Sequence, residues 1–344
     1  MRASILSLLF AAPLAVTATW FKPRAPPPTP FLDPTVRTFV DVLGAGTPIY
    51  KLPIPEARAV FETSQEPLPP TTSVDYTIFN ITVPNTRPGK VEVHLFKPLN
   101  TTESALPTIV YYHGGGWVLG SANSHRRLAL DLVERTGYAV FFVQYTPSPE
   151  SQFPQPIVEA YAAVQYLIKN GAKHGLSTKN FALAGDSAGG GMAISVTIKS
   201  IEKKTPLPKV NVLFYPVTDL SRQSETYRTF YNGPGLTVPT LQWMGPLYVP
   251  NASDRTNPLV SPLLARNSLL AKFPETLTIT AEVDPLRWEG EKFAERLAKN
   301  GVKAAVVRVL QTVHDFVLWN ALADSPPTLA AIDLAASTIK RVLG

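Results

Sequence analysis

Two kinds of hydrophobic pattern divide the chain. Apolar positions first recur at helical spacing, predicting helices over about 34–43 and 55–65. The second opens with Pro55 and Glu56, which suit a first helical turn. After a Pro-rich break at 66–72, the runs VDYTIFNITV and KVEVHLFKP alternate apolar with polar residues. A turn containing Pro88-Gly89 joins them, so they read as an antiparallel pair. From residue 107 the alternation gives way to continuous apolar runs: PTIVYYH, GYAVFFVQY, NFALAG, KVNVLFYP, TLTITAEVD and AAVVRVL. Helix-length segments at about 124–136, 154–170, 188–203, 288–299 and 326–342 fill the spaces between and after them. Buried strands alternating with helices predict a mostly parallel sheet with helices on both faces, an α/β fold. Residues 221–255 break that rhythm, rich in Pro, Gly and aromatics. With residues 35–65 they are expected to form a small helical cap on a catalytic domain spanning 35–344.

Composition narrows the chemistry. The chain has no cysteine, which excludes disulfides, thiolate metal sites and a Cys nucleophile. The net charge of +6 comes from scattered Lys and Arg with no basic-aromatic cluster, so nucleic acid is not an expected partner. Arg2 followed by an apolar run from Ile5 to Val16, with small residues after it, reads as a signal peptide over 1–18. That run is too short to span a membrane. A Pro-rich linker follows over 19–34, and Asn-x-Ser/Thr sequons stand at Asn80, Asn100 and Asn251. Secretion is the expectation from these features, with a cytoplasmic protein as the alternative.

The segment FALAGDSAGGGMAISV contains Gly185-Asp186-Ser187-Ala188-Gly189. Two glycines around a serine also occur in turns that only pack a helix near a strand. Here, however, an apolar strand runs into Gly185 and a helix-prone stretch leaves from Ala188, the strand–turn–helix setting of a nucleophile elbow. Ser187 is therefore the expected nucleophile, strained in its backbone, at a helix N-terminus that favours negative charge. A second motif, His113-Gly114-Gly115-Gly116-Trp117, follows the strand PTIVYYH. Consecutive glycines let the backbone approach a substrate and turn N–H groups toward it. With the residue after the nucleophile, such a loop forms the oxyanion hole of one branch of α/β-hydrolases. The expected donors are the amides of Gly115, Gly116 and Ala188.

The triad in such a fold runs Ser, acid, His along the chain. Of the five histidines (His94, His113, His125, His174 and His314), only His314 follows Ser187. It comes after the last apolar run and is the expected base. Asp284 ends TLTITAEVD before Pro285 and is the expected acid, with Asp219 in YPVTDL as the alternative. Asp315 adjoins the histidine and is expected to point away from its ring.

HGGGW, GDSAG and D-P-L-R followed by a late histidine together resemble the hormone-sensitive-lipase-like family of α/β-hydrolases. The resemblance covers about 70–344 and implies an α/β-hydrolase fold with a helical cap. It places the triad on Ser187, Asp284 and His314, and the hole at Gly114, Gly115 and Gly116. Glu150 in YTPSPESQFP is similar to the family's Y-R-L-A-P-E-x-x-F-P segment, with Arg and Leu replaced. Trp288 stands where an acidic residue is common, and Asp315 where Gly is usual. The first is expected at the rim of the site; the second adds a negative charge that would raise the pKa of the base.

The expected activity is hydrolysis of short- to medium-chain acyl esters, or of acetyl groups on a small molecule, through an acyl-enzyme. Amide or formamide hydrolysis and acyl transfer would use the same triad. A catalytically silent small-molecule receptor on this fold is the alternative from another class, disfavoured because His314 is present. Trp117, Phe153, Tyr215 and Trp243 are candidates for an apolar substrate pocket. Neither a metal nor an organic cofactor is implied.

Overall fold

The apolar runs become the strands of a single sheet. The computed structural model describes residues 31–101 and 103–344; the signal-peptide reading and the linker before residue 31 lie outside them. The strands are β1 (Val74–Thr82), β2 (Lys90–Pro98), β3 (Leu106–Tyr112), β4 (Ala139–Gln144), β5 (Leu176–Asp186), β6 (Val210–Phe214), β7 (Glu275–Val283) and β8 (Ala304–Val313). They pair in the order β1-β2-β4-β3-β5-β6-β7-β8. Strand β2 runs antiparallel to both neighbours, and from β4 to β8 every pairing is parallel.

Helices α1 (Pro34–Ala45) and α2 (Ile54–Thr63) precede the sheet. Asp33 caps α1 by accepting the Thr35 N–H at 2.9 Å. Helices α3 (Arg126–Thr136), α4 (Gln155–Asn170) and α5 (Ala188–Lys203) cross between strands. The 221–255 stretch carries α6 (Glu225–Thr229) and α7 (Val238–Tyr248). After α8 (Asn267–Leu270), helices α9 (Arg287–Lys299) and α10 (Pro326–Leu343) complete the chain.

The two-residue period of the strands sorts their side chains between two core layers. On β3 and β4, Val110, Tyr112, Phe141 and Val143 meet α4 and α5, while Ile109, Tyr111, Val140 and Phe142 meet α3 and α10. Burial of both sheet faces explains why β3, β4 and β6 read as unbroken apolar runs. Phe141 and Phe142, fully buried on opposite faces, each withdraw a side chain worth roughly 2–3 kcal/mol.

One expectation fails. The run AAVVRVL, read as a buried strand, is the edge strand β8, and Val306, Val307 and Leu310 on it are exposed. Only its end, Thr312 and Val313, is buried, leading into His314. Apolar composition records β-propensity as well as burial, and an edge strand has one neighbour fewer to cover it.

Candidate active site

Ser187 occupies the single residue between β5 and α5, with φ 51° and ψ −119°. A side chain at Gly189 would put its Cβ 2.0 Å from the Tyr112 carbonyl oxygen, and one at Gly185 would meet the Gly189 carbonyl at 2.5 Å. These two glycines let the helix start against the sheet. The strain at Ser187 is held from both sides: its N–H donates to the Phe214 carbonyl at 2.9 Å, and its carbonyl accepts from Val217 N at 3.0 Å and Gly191 N at 3.1 Å. Glu289, on α9, supports this arrangement indirectly. Its Oε1 accepts the Thr218 and Asp219 amides at 2.7 and 3.1 Å, fixing the loop that carries Val217. Burial pushes the Glu289 carboxyl up to about 8, even though those amides pull the other way.

His314 brings the expected residues together. Its Nδ1 lies 2.7 Å from Asp284 Oδ2 and its Nε2 lies 2.9 Å from Ser187 Oγ. Asp284 sits just past the end of β7, and its Oδ1 accepts the Leu286 N–H at 2.8 Å, so both oxygens are fixed. The alternative acid, Asp219, is turned to its own loop, accepting from Ser221 N at 2.9 Å and Arg222 Nε at 3.1 Å. Burial lowers the imidazole's affinity for a proton, but the Asp284 and Asp315 carboxylates outweigh it and push His314 up to about 9.

Asp315 does not point away. Its backbone is left-handed, φ 63°, which swings the carboxylate round until Oδ1 lies 3.3 Å from His314 Nε2. The reading that it points away assumed an ordinary φ, and the left-handed turn reverses it. Asn and Asp tolerate this region better than other non-Gly residues, which is why an aspartate can stand where glycine is usual.

The 113–117 loop divides into parts that support and parts that face the site. Gly114 departs from the expected role: its N–H donates to Asp186 Oδ1 at 3.0 Å, so it anchors the loop and is not free for an oxyanion. A Cβ there would lie 2.1 Å from Asp186 Oδ2. Gly115 and Gly116 border the cavity above Ser187. The Ala188 N–H, first in α5, has no carbonyl a turn earlier to donate to. His113 is buried and stacked on Tyr145 at 4.1 Å; burial drives its pKa down to about 3, leaving a neutral ring that packs the loop.

Asp186 was missed by the sequence reading, though a charge ending a buried apolar strand demands a partner. It accepts from Tyr111 Oη at 2.6 Å and from Gly114 N, and pairs with the buried His125 at 3.3 Å. Burial opposes its ionisation, but His125 and these donors hold its pKa below the usual value. Asp186→Ala would strand three donors behind the glycine loop. We expect kcat to fall about 100-fold, the size of losing one oxyanion donor, together with a lower Tm. Steady-state kinetics and a melting curve read both.

The residues over Ser187 enclose a cavity of about 940 Å³. Its walls come from the first cap segment (Val40, Ile49, Leu52, Phe61), the second (Leu236, Leu241, Met244) and Trp117. Three pocket candidates are elsewhere. Tyr215 is fully buried with its ring 4.7 Å from the His314 ring, Phe153 packs edge-on to Tyr248 behind Trp117, and Trp243 is half-buried in the core. On α7, Thr240, Leu241 and Met244 face the cavity at helical spacing, which turns Trp243 aside. Trp288 is not at the rim either; it packs on the core with the Arg222 guanidinium 5.4 Å above its ring.

Glu150 receives a two-pronged bond from Arg58 of α2, at 2.8 and 2.7 Å. Arg58 also donates to the Val118 and Ser148 carbonyls, both at 2.9 Å. The guanidinium thus ties α2, with its cavity residues Ala59, Val60 and Phe61, to the loop beyond Trp117. Arg58→Ala is expected to raise KM several-fold with a smaller change in kcat, because it loosens a wall and not the reacting groups.

Comparison with known proteins agrees with this geometry. A family model described as an α/β-hydrolase fold matches residues 109–318. An esterase of Gibberella moniliformis is 40% identical over 256 residues, 74% of this chain and 80% of its own length. An ethyl acetate hydrolase of Pseudomonas putida is 30% identical over 295 residues, 83% of this chain and 92% of its own. The crystal structure of carboxyl esterase 2 from Tuber melanosporum superposes with a TM-score of 0.84 at 40% identity, covering 91% of this chain and all of that one. Among the described residues no helix is long and apolar enough to cross a membrane. The elbow, the glycine loop and these relatives together place the chain in the hormone-sensitive-lipase-like family of α/β-hydrolases, as a carboxylic ester hydrolase.

Proposed function

We propose that Ser187, His314 and Asp284 hydrolyse small esters with short- to medium-chain acyl groups. The observation that carries this reading is the bridging imidazole, 2.7 Å from one partner and 2.9 Å from the other, at the base of an apolar cavity of about 940 Å³. Ser187 Oγ attacks the ester carbonyl as His314 Nε2 takes its proton. Asp284 keeps the ring oriented and stabilises its charged form. The amides of Gly115, Gly116 and Ala188 accommodate the oxyanion, which collapses and expels the alcohol; the alcohol leaves with the proton from Nε2. Water then attacks the acyl-enzyme by the same route, releasing the acid and restoring Ser187.

The ethyl acetate hydrolase among the relatives favours short acyl groups. A series of p-nitrophenyl esters from acetate to palmitate tests this. We expect kcat/KM to peak between two and eight carbons and to fall by at least about tenfold at sixteen. A maximum at the longest chain would contradict the reading.

We further propose passage through a secretory pathway. Asn80, Asn100 and Asn251 are all exposed, as glycosylation requires. Mass spectrometry of the mature protein should find an N-terminus past residue 18 and glycan on one or more of these asparagines; an intact, unmodified chain would refute it.

A further inference from the structure

The catalytic reading leaves the Asp315 carboxylate without a task. It lines the cavity together with Gly115, Gly116, Ser187 and His314. Its Oδ1 is buried and has no hydrogen-bond partner, and none of the described residues donates to its other oxygen. The 3.3 Å approach to Nε2 is an ion-pair distance without hydrogen-bond geometry, because that nitrogen addresses Ser187. The left-handed backbone that aims it is held in place, with Leu318 N and Trp319 N donating to its carbonyl at 2.8 and 3.3 Å. A partly buried carboxylate in an apolar chamber, kept there at the cost of backbone strain, with no hydrogen-bond donor and no charged neighbour once His314 is neutral, calls for an explanation.

The rest of the cavity supplies half of one. Among the described residues its ionisable side chains are Glu56, Tyr50, His314 and Asp315, with neither Lys nor Arg. His314 is thus the one cationic group among the described lining residues, and in its reactive neutral form it leaves the chamber with carboxylates alone. Location supplies the other half. A departing alcohol oxygen must come within about 3 Å of Nε2 to collect its proton. Asp315 Oδ1 is 3.3 Å from the same nitrogen. A group three bonds along the alcohol from the leaving oxygen is therefore within reach of this carboxylate.

We propose that Asp315 is a subsite for a cationic, hydrogen-bond-donating group, an ammonium, on the alcohol part of the ester. This rests on the assignment of Ser187 and His314 to the reaction. An ammonium there supplies the hydrogen-bond donor that the carboxylate lacks, and in apolar surroundings the charge-assisted bond is stronger than it would be in water. Burial raises the Asp315 pKa to about 6 against the opposing pull of His314, so the carboxylate is ionised at neutral pH. Esters carrying an anionic group in the same position meet the Asp315 carboxylate and, among the described lining residues, no cationic side chain other than the base.

The test uses two acetates of nearly identical shape. 2-(Dimethylamino)ethyl acetate is protonated at neutral pH, and 3-methylbutyl acetate replaces its N–H with C–H. The readout is the ratio of kcat/KM for the charged over the neutral ester, compared between wild type and Asp315→Asn. This comparison cancels both the intrinsic reactivities of the esters and any change in the base, which acts on both substrates alike. The ratio is expected to fall about tenfold or more in the variant, the size of one charge-assisted hydrogen bond. Asp315→Gly, compatible with the left-handed backbone, should show the same fall and guards against a local effect of the amide. An unchanged ratio in both variants overturns the subsite. Failure of the underlying reading looks different: Ser187→Ala would then still hydrolyse both esters.

Discussion

Ser187→Ala is expected to lower kcat toward p-nitrophenyl acetate by about 10⁶-fold while leaving the melting temperature within a few degrees of wild type. The size follows from how the three groups depend on one another. The hydroxyl is the atom that His314 Nε2 addresses at 2.9 Å, and the imidazole has no other nucleophile to activate. Removing it leaves only the oxyanion donors and the cavity, whose combined contribution over water is about 10³–10⁴. Stability is spared because the elbow is held by backbone: Phe214, Val217 and Gly191 bond the peptide groups of residue 187 and not its side chain. His314→Ala should cost nearly as much, and the double variant little more than either, since the residues act as one unit. A loss of only tenfold, or losses that multiply in the double variant, would sink the assignment.

The second large effect is on pH. The base works only as neutral imidazole, and His314 is pushed up to about 9 by Asp284 on one side and Asp315 on the other. The charged groups around it are those two carboxylates and, farther off, Asp186; Tyr215 packs against the ring as an apolar face. Because the folded pKa is raised, the inactive protonated form persists through neutrality. For a neutral ester, kcat/KM should rise about tenfold per pH unit from pH 7 and level off only above about 9. Asp315→Asn removes one of the two charges that favour the imidazolium, so its midpoint must move down. Each unit of that shift raises kcat/KM at pH 7 about tenfold. Profiles of both proteins on p-nitrophenyl acetate decide the matter; identical midpoints would show that Asp315 does not act on the base.

Much of this site is legible in the sequence because its strongest demands are local. A serine between a buried strand and a helix needs small residues two positions away on either side, and Gly185 and Gly189 are the visible trace of the close approach to Tyr112. Chain order alone left His314 as base, and the end of β7 marked Asp284. Demands met across the fold leave weaker traces. Asp186 was hidden as the variable letter of a five-residue motif, yet its partners, Tyr111, Gly114 and His125, come from three other segments. The pocket was misread for the same reason. Aromatic type does not reveal which side chains see the cavity; the face of α7 and the packing behind Trp117 decide that. Asp315 failed on a single dihedral angle that composition does not display. At β8 an apolar run stands on an exposed edge, where pattern and burial part company.

The most direct test of the central claim is to catch the acyl-enzyme. Wild-type protein mixed with p-nitrophenyl acetate and quenched in acid within the first turnover should release a burst of p-nitrophenol. Peptide mass spectrometry should then find one acetyl group, on the peptide bearing Ser187, and none in Ser187→Ala. An acetyl group on another residue, or equal product release by wild type and variant with no covalent adduct, would contradict Ser187 as the nucleophile.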